Sequence, residues 1–150
     1  MRLSLLTATV PGKPRPQGSL QLSRDPRTGR EWAKYGDQTV LHRNLVVSVL
    51  RAEWEGDVPL TSPVAVRCMF RFARPKNHFG TGKNSGLLKS TAPQWMASMP
   101  DTDKLCRLIG DALVVSGVLD DDSLIVLMRG EKVWADSPST LIEVFDLGGQ

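Results

Sequence analysis

Apolar and polar positions along the chain divide it into a short series of elements. Leu3 to Val10 predicts an opening strand. Pro11 to Gly18 is a cluster of breakers and so an ordered loop, and Asp25 to Gly29 carries the signal of a hairpin tip. Asp37 is positioned as an N-cap for a helix from Gln38 to about Trp54, which Gly56 and Pro59 end. The apolar face of that helix is only loosely periodic through Val40, Leu41, Asn44, Leu45, Ser48 and Val49. Val64, Val66, Cys68, Phe70 and Phe72 alternate with Ala65, Arg67, Met69 and Arg71, the pattern of a strand with one apolar and one partly basic face.

Residues 74–100 hold few apolar anchors and predict a long basic loop, a length that is usually functional or disordered. Leu105, Leu108, Ile109, Ala112 and Leu113 then recur at helical spacing, from a start near Asp101–Asp103 to a stop at Gly117. Leu124 to Met128 is a continuous apolar run, read as a central strand. A turn at Asp136-Ser137-Pro138 leads to a last strand from Thr140 to Leu147. The order strand, helix, strand, helix, strand, strand predicts an α+β domain with a mixed sheet and two main helices.

At 150 residues the chain fits one domain, 1–150, large enough to fold without disulfides or a structural metal. No apolar run approaches the roughly 20 residues of a membrane helix, and the opening segment reads as a strand, not a signal peptide. Cys68 and Cys106 form neither a CxxC pair nor a zinc spacing, so buried free thiols in a reducing cytoplasm are expected.

The placement of charge says more than the net +3. Residues 1–51 carry nine Lys or Arg against three acids, and residues 67–100 carry six Lys or Arg and no acid. Residues 101–122 carry six aspartates against Lys104 and Arg107. Basic segments suit a polyanion, and an acid cluster within a basic protein suits a divalent cation.

The aspartates fall in three pieces: Asp101 with Asp103, then Asp111, then Asp120-Asp121-Asp122. In an extended segment Asp101 and Asp103 share a face about 6.6 Å apart, close enough for one hard cation. Alternatively Asp101 is an N-cap and Asp103 favours the helix dipole. Asp103, Arg107 and Asp111 lie on one helical face, with Asp103 and Asp111 about 12 Å apart, so Asp111 is expected to pair with Arg107. A strand returning from Val115 must cover about 21 Å to regain the helix start. The chain to Asp122 spans about 23 Å when extended, so Asp122 reaches Asp101 and Asp103, Asp121 barely does, and Asp120 falls short. Close carboxylates repel; Mg²⁺ relieves that repulsion and keeps waters, one of which can become a nucleophile.

The segments Pro100-Asp101-Thr102-Asp103-Lys104-Leu105, Asp111-Ala112-Leu113, Gly117-Val118-Leu119 and Asp121-Asp122-Ser123 resemble the RusA-type Holliday junction resolvases of phages and prophages. Arg74 to Asn84 and Gly12 to Pro16 fit the same resemblance. It implies a RusA-like, homodimeric, Mg²⁺-dependent endodeoxyribonuclease that cuts two opposed strands of a four-way junction and leaves 5′-phosphates, in the cytoplasm of a bacterial host if phage-encoded. Mn²⁺ is the alternative cation. The family's essential aspartates fall on Asp101, Asp103 and Asp122, with Asp121 adjacent. Its helix lysine falls on Arg107, which keeps the charge but cannot donate a proton at neutral pH, leaving phosphate clamping or orientation of Asp103. The expected DNA contacts are Lys13, Arg15, Lys76, Lys83, Lys89, Lys104 and Lys132.

Other motifs carry less. Gly80 to Gly86 lacks the first glycine and the Ser/Thr of a P-loop, so no nucleotide cofactor is expected. Asp101 does not open an EF-hand, because position 105 is Leu. His42 and His78 are too isolated for a metal pair. Trp32, Tyr35 and Trp95 are candidates either for stacking on unpaired bases or for packing. Two rival functions stay open at this point: a non-catalytic junction-binding protein of the same fold, and a Mg²⁺-dependent hydrolase of a small phosphorylated substrate.

Overall fold

A computed structural model describes residues 3–18 and 20–148. Six strands and two helices follow in chain order: β1 (Ser4–Pro11), β2 (Gln21–Arg24), β3 (Glu31–Lys34), α1 (Asp37–Glu53), β4 (Val64–Ala73), α2 (Thr102–Val115), β5 (Ile125–Ala135) and β6 (Ser139–Asp146). The main sheet has the order β1-β6-β4-β5, while β2 and β3 form a separate hairpin whose tip is the predicted Asp25–Gly29 turn. β6 pairs antiparallel with β1 and β4, and β5 pairs parallel with β4, so the sheet is mixed as expected.

Both helices cover one face of the sheet. The inward residues of β4 (Val64, Val66, Cys68, Phe70 and Phe72) meet Leu105, Leu108, Ile109, Ala112 and Leu113 of α2 in one core. These are the residues that the alternation and the helical spacing single out. The opposite face is open, and Arg67 ties it across three strands by pairing with Glu131 at 3.2 Å and Glu143 at 3.3 Å. Burial pushes the Cys68 and Cys106 thiols up, with Asp103 as a second cause at Cys106. Both are free and buried, as expected.

Three expectations are corrected. Asp37 is the first helical residue and Gly36 takes the cap position, without a side-chain cap bond. The buried face of α1 is His42, Val46, Val47 and Leu50, leaving Leu41 and Leu45 exposed, because the packing side sits one residue round from the loose apolar stripe. The apolar run at Leu124–Met128 does not open a central strand: among the described residues β5 is an edge strand, paired with β4 alone, with Val126 62% and Leu127 55% exposed. A continuous apolar run reports strand propensity but not whether a neighbour lies on both sides.

One contact fixes how α2 sits. Gly130 of β5 faces the first turns of α2, where a Cβ would come 2.4 Å from Cys106 Sγ and 3.1 Å from Thr102 Cγ2. The absent side chain lets the helix start lie directly on the strand.

Candidate active site

Asp101 and Asp103 stand at the start of α2. Asp101 occupies the N-cap position, but its side chain makes no cap bond. Its carboxylate instead lies 3.4 Å from Lys104 Nζ and is half exposed. The capping alternative therefore does not use this carboxylate up. Asp103 is exposed two residues further on, inside the first turn of α2 and not in an extended segment, and Arg107 is exposed one turn beyond it with no hydrogen-bond or ion-pair partner among the described residues.

At the other end of the same helix, Asp111, Asp121 and Asp122 line one open hollow of about 290 Å³ together with Arg43 of α1. Asp121 accepts from Ser123 N at 2.8 Å and caps the short 3-10 turn Asp122–Leu124. The Ser123 hydroxyl and backbone N–H hold its carboxyl below the ordinary carboxylate range. Asp120 is exposed, and its N–H bonds Leu60 O at 3.0 Å.

The expected meeting of Asp122 with Asp101 and Asp103 does not occur in this chain. Ile125 at the start of β5 is level with Gly110, and it is Gly130, five residues later, that reaches Thr102. The connection does not run extended: Val118 and Leu119 both donate to Leu113 O, Gly117 turns with φ of 82°, and residues 122–124 coil again. The chain spends its length on turns, and Asp122 stays near the helix end. The expected Asp111–Arg107 pair is likewise absent. Asp111 takes a very short hydrogen bond from Gln17 Nε2 instead.

Sequence reasoning missed Gln17. It sits in the Pro11–Gly18 breaker cluster, is only 4% exposed, and bonds Lys104 O through its own N–H at 3.0 Å. Its Nε2 is also 3.4 Å from the Tyr35 hydroxyl, while its Oε1 is buried without a partner. The loop thus lies along α2 and fixes Asp111 from behind. The only local signal is a polar residue between Pro16 and Gly18, and its partner is 94 positions away.

The basic residues separate into groups. Lys76 and Lys89 line one hollow on the 74–100 loop, and Lys83 is exposed on the same loop. Lys13 and Arg15 line another beside His42, whose imidazole is held below its ordinary value by burial and, secondarily, by the Arg15 charge. Lys104 faces Asp101. Lys132 donates to Ser98 O at 2.6 Å and Pro100 O at 2.9 Å, so it staples the loop's end to the sheet just before Asp101.

The donor set can be tested against a cation. Among the described residues no group of three or more His, Cys, Asp or Glu is placed to cage a metal ion. Mg²⁺ needs no such cage: it takes one or two carboxylates, keeps several waters and shares the substrate's phosphate oxygens. An exposed, all-aspartate strip fits that habit, and a tetrahedral thiolate or imidazole site has no donors here.

The profile of the family described as endodeoxyribonuclease RusA matches residues 11–145. The chain belongs to the RusA family. No individual curated protein matches it. RusA proteins are endodeoxyribonucleases that resolve crossover junctions, so the chain is a Holliday junction endodeoxyribonuclease and branched DNA is the substrate class. RusA nucleases are generally divalent-metal dependent. Family membership decides between the rival readings in favour of a nuclease. Among the described residues no helix is long and apolar enough to cross a membrane.

Proposed function

We propose that this RusA-family chain resolves four-way junctions by Mg²⁺-dependent hydrolysis, working as a homodimer that cuts two opposed strands. The observation that carries the reading is the set of aspartates at the two ends of α2, Asp101 and Asp103 at its start and Asp122 in the turn after its end, with Arg107 exposed between them and a preceding loop that carries basic residues and no acid. Asp101 and Asp103 would hold the ion at the helix start, one or two carboxylates being what Mg²⁺ takes from a protein. Asp122, with Asp121 and Asp111, would supply the second carboxylate group at the helix end. When bound, the cation supplies charge neutralisation at the phosphate and an activated water; Mn²⁺ serves the same purpose.

The chain's own residues do the rest. Arg107, unpaired between the two carboxylate groups, clamps a phosphate oxygen and, with a guanidinium that stays charged, takes no part in proton transfer. The N-terminus of α2 favours the incoming phosphate through its free N–H groups. Lys76, Lys83 and Lys89 hold the backbone of one arm, and Lys13 and Arg15 that of another. Lys104 and Lys132 each keep a donor beyond the contacts described above, since an ammonium has three. One strip per chain cuts one strand, which is why two copies are needed for paired cuts.

The test is cleavage of a labelled four-way junction and a matched linear duplex, with Mg²⁺ and with EDTA. Paired, Mg²⁺-dependent nicks in the junction alone are the expected result. Equal cutting of the duplex, or cutting in EDTA, would contradict the proposal.

A further inference from the structure

The start of the basic loop packs against β5 around Trp134. His78 meets the Trp134 ring edge-on, with centroids 5.2 Å apart and planes at 88°, and the Arg74 guanidinium lies 5.2 Å from the Trp134 ring centre. Arg74 also donates to Pro93 O at 2.8 Å, which fastens both ends of the loop to this point. Beside these groups lies a hollow of about 370 Å³ lined by Pro75, His78, Pro93, Trp95, Ser98 and Trp134. That volume is at the small end for ligand pockets. Trp95 is 72% exposed, while the Trp134 indole N–H is buried with no acceptor.

Three rings on the walls, those of His78, Trp95 and Trp134, are the complement of one flat aromatic ligand. The surroundings narrow the ligand further. The segment that carries the hollow holds only positive charge, and Ser98, one of its walls, is bonded by Lys132, which also bonds Pro100, the residue before Asp101. A group entering the hollow therefore stands next to the helix start where the scissile phosphate is proposed to lie. We infer that this hollow takes an unpaired nucleobase of the DNA substrate, stacked on Trp95, from the strand that is being cut. The inference rests on the junction-cleaving reading above. It gives the enzyme a reason to prefer a branch point, because bases in an intact duplex are not free to enter.

The experiment is DNA binding in EDTA, where no strand is cut, for wild type, Trp95→Ala and Trp95→Phe on a four-way junction and a matched duplex over a series of salt concentrations. Trp95→Ala is expected to bind the junction about tenfold more weakly, the loss of one base–aromatic stack. Its duplex affinity stays unchanged, and so does the slope of log affinity against log salt, because no phosphate contact is lost. Trp95→Phe retains most of the junction affinity. Unchanged junction binding by Trp95→Ala, an equal loss on duplex, or a shallower salt slope would each overturn the inference. If wild type itself shows no preference for the junction, the junction reading fails and this inference falls with it.

Discussion

The acidic strip on α2 and the basic loop at 74–100 carry opposite charge and are held in opposite ways. The strip sits on a helix whose other side is core: Leu105, Leu108, Ile109, Ala112 and Leu113 are buried, and Gly130 lets the helix start rest on β5. The loop has much less footing. Met96 is its one residue buried in the core among the described residues, and it is otherwise held by Arg74 on Pro93, Lys132 on Ser98 and Pro100, the packing on Trp134, and its own bonds Gly80–Leu87 and Lys89–His78. Between those points residues 81–91 are all exposed. On the proposed reading, chemistry that needs carboxylates in a fixed place would lie on the rigid element, and backbone contacts that must follow a branched substrate on the more exposed one. Binding and cutting should therefore come apart under mutation.

The largest effect is expected at the strip. Asp101→Asn and Asp122→Asn should each lower junction cleavage by roughly a hundredfold or more, as loss of a few kcal/mol of charge stabilisation requires, with binding in EDTA kept. A single-turnover assay checks this. The loop should behave in the opposite way. A triple Lys76→Ala, Lys83→Ala, Lys89→Ala variant should bind more weakly with a salt slope shallower by about 2.7, three phosphate contacts being lost, and should still cut at near wild-type rate once saturated with DNA.

Smaller effects concern how the strip is mounted. Gly130→Ala should cost about 1–3 kcal/mol through overpacking against Cys106 and Thr102. Thermal unfolding would read this as a melting temperature lower by about 2–4 °C for each kcal/mol. Gln17→Ala should cost about 1 kcal/mol in a urea titration, because Asp111 loses a donor that water can partly replace. The smallest is at His42. Its folded pKa is depressed, so the folded state binds the proton less readily than the unfolded chain. Its contribution is complete above the ordinary value of 6.5 and is lost as pH falls through the folded value. A melting series from pH 8 to 5 should fall at the acid end, and less steeply in His42→Gln.

What was legible in the sequence follows the same division. The α2 period and the β4 alternation named core residues correctly, because burial on one side imposes a repeat that each residue carries locally. The edge position of β5 was not legible: Leu124–Met128 is apolar whether one neighbour or two lie beside it. The path from Val115 to Asp122 was misjudged because extended-chain reach is an upper bound, and the Gly117 turn and the bonds to Leu113 O shorten it. The Gln17–Asp111 bond was invisible because it joins residues far apart in the chain with no local pattern at either. The ordered aspartate motifs were enough to point to the RusA family, which the family profile then matched over residues 11–145. They were not enough to say which carboxylates stand together.

The most direct test of the central division is Asp103→Asn measured for binding and cutting on the same labelled four-way junction. The side chain is exposed and outside the core, so the fold should be untouched. Junction affinity in EDTA is expected to stay within about twofold of wild type, and cleavage in Mg²⁺ to fall by roughly a hundredfold or more. Cleavage at the wild-type rate would contradict that division, and so would a loss of binding that accounts for the whole loss of cleavage.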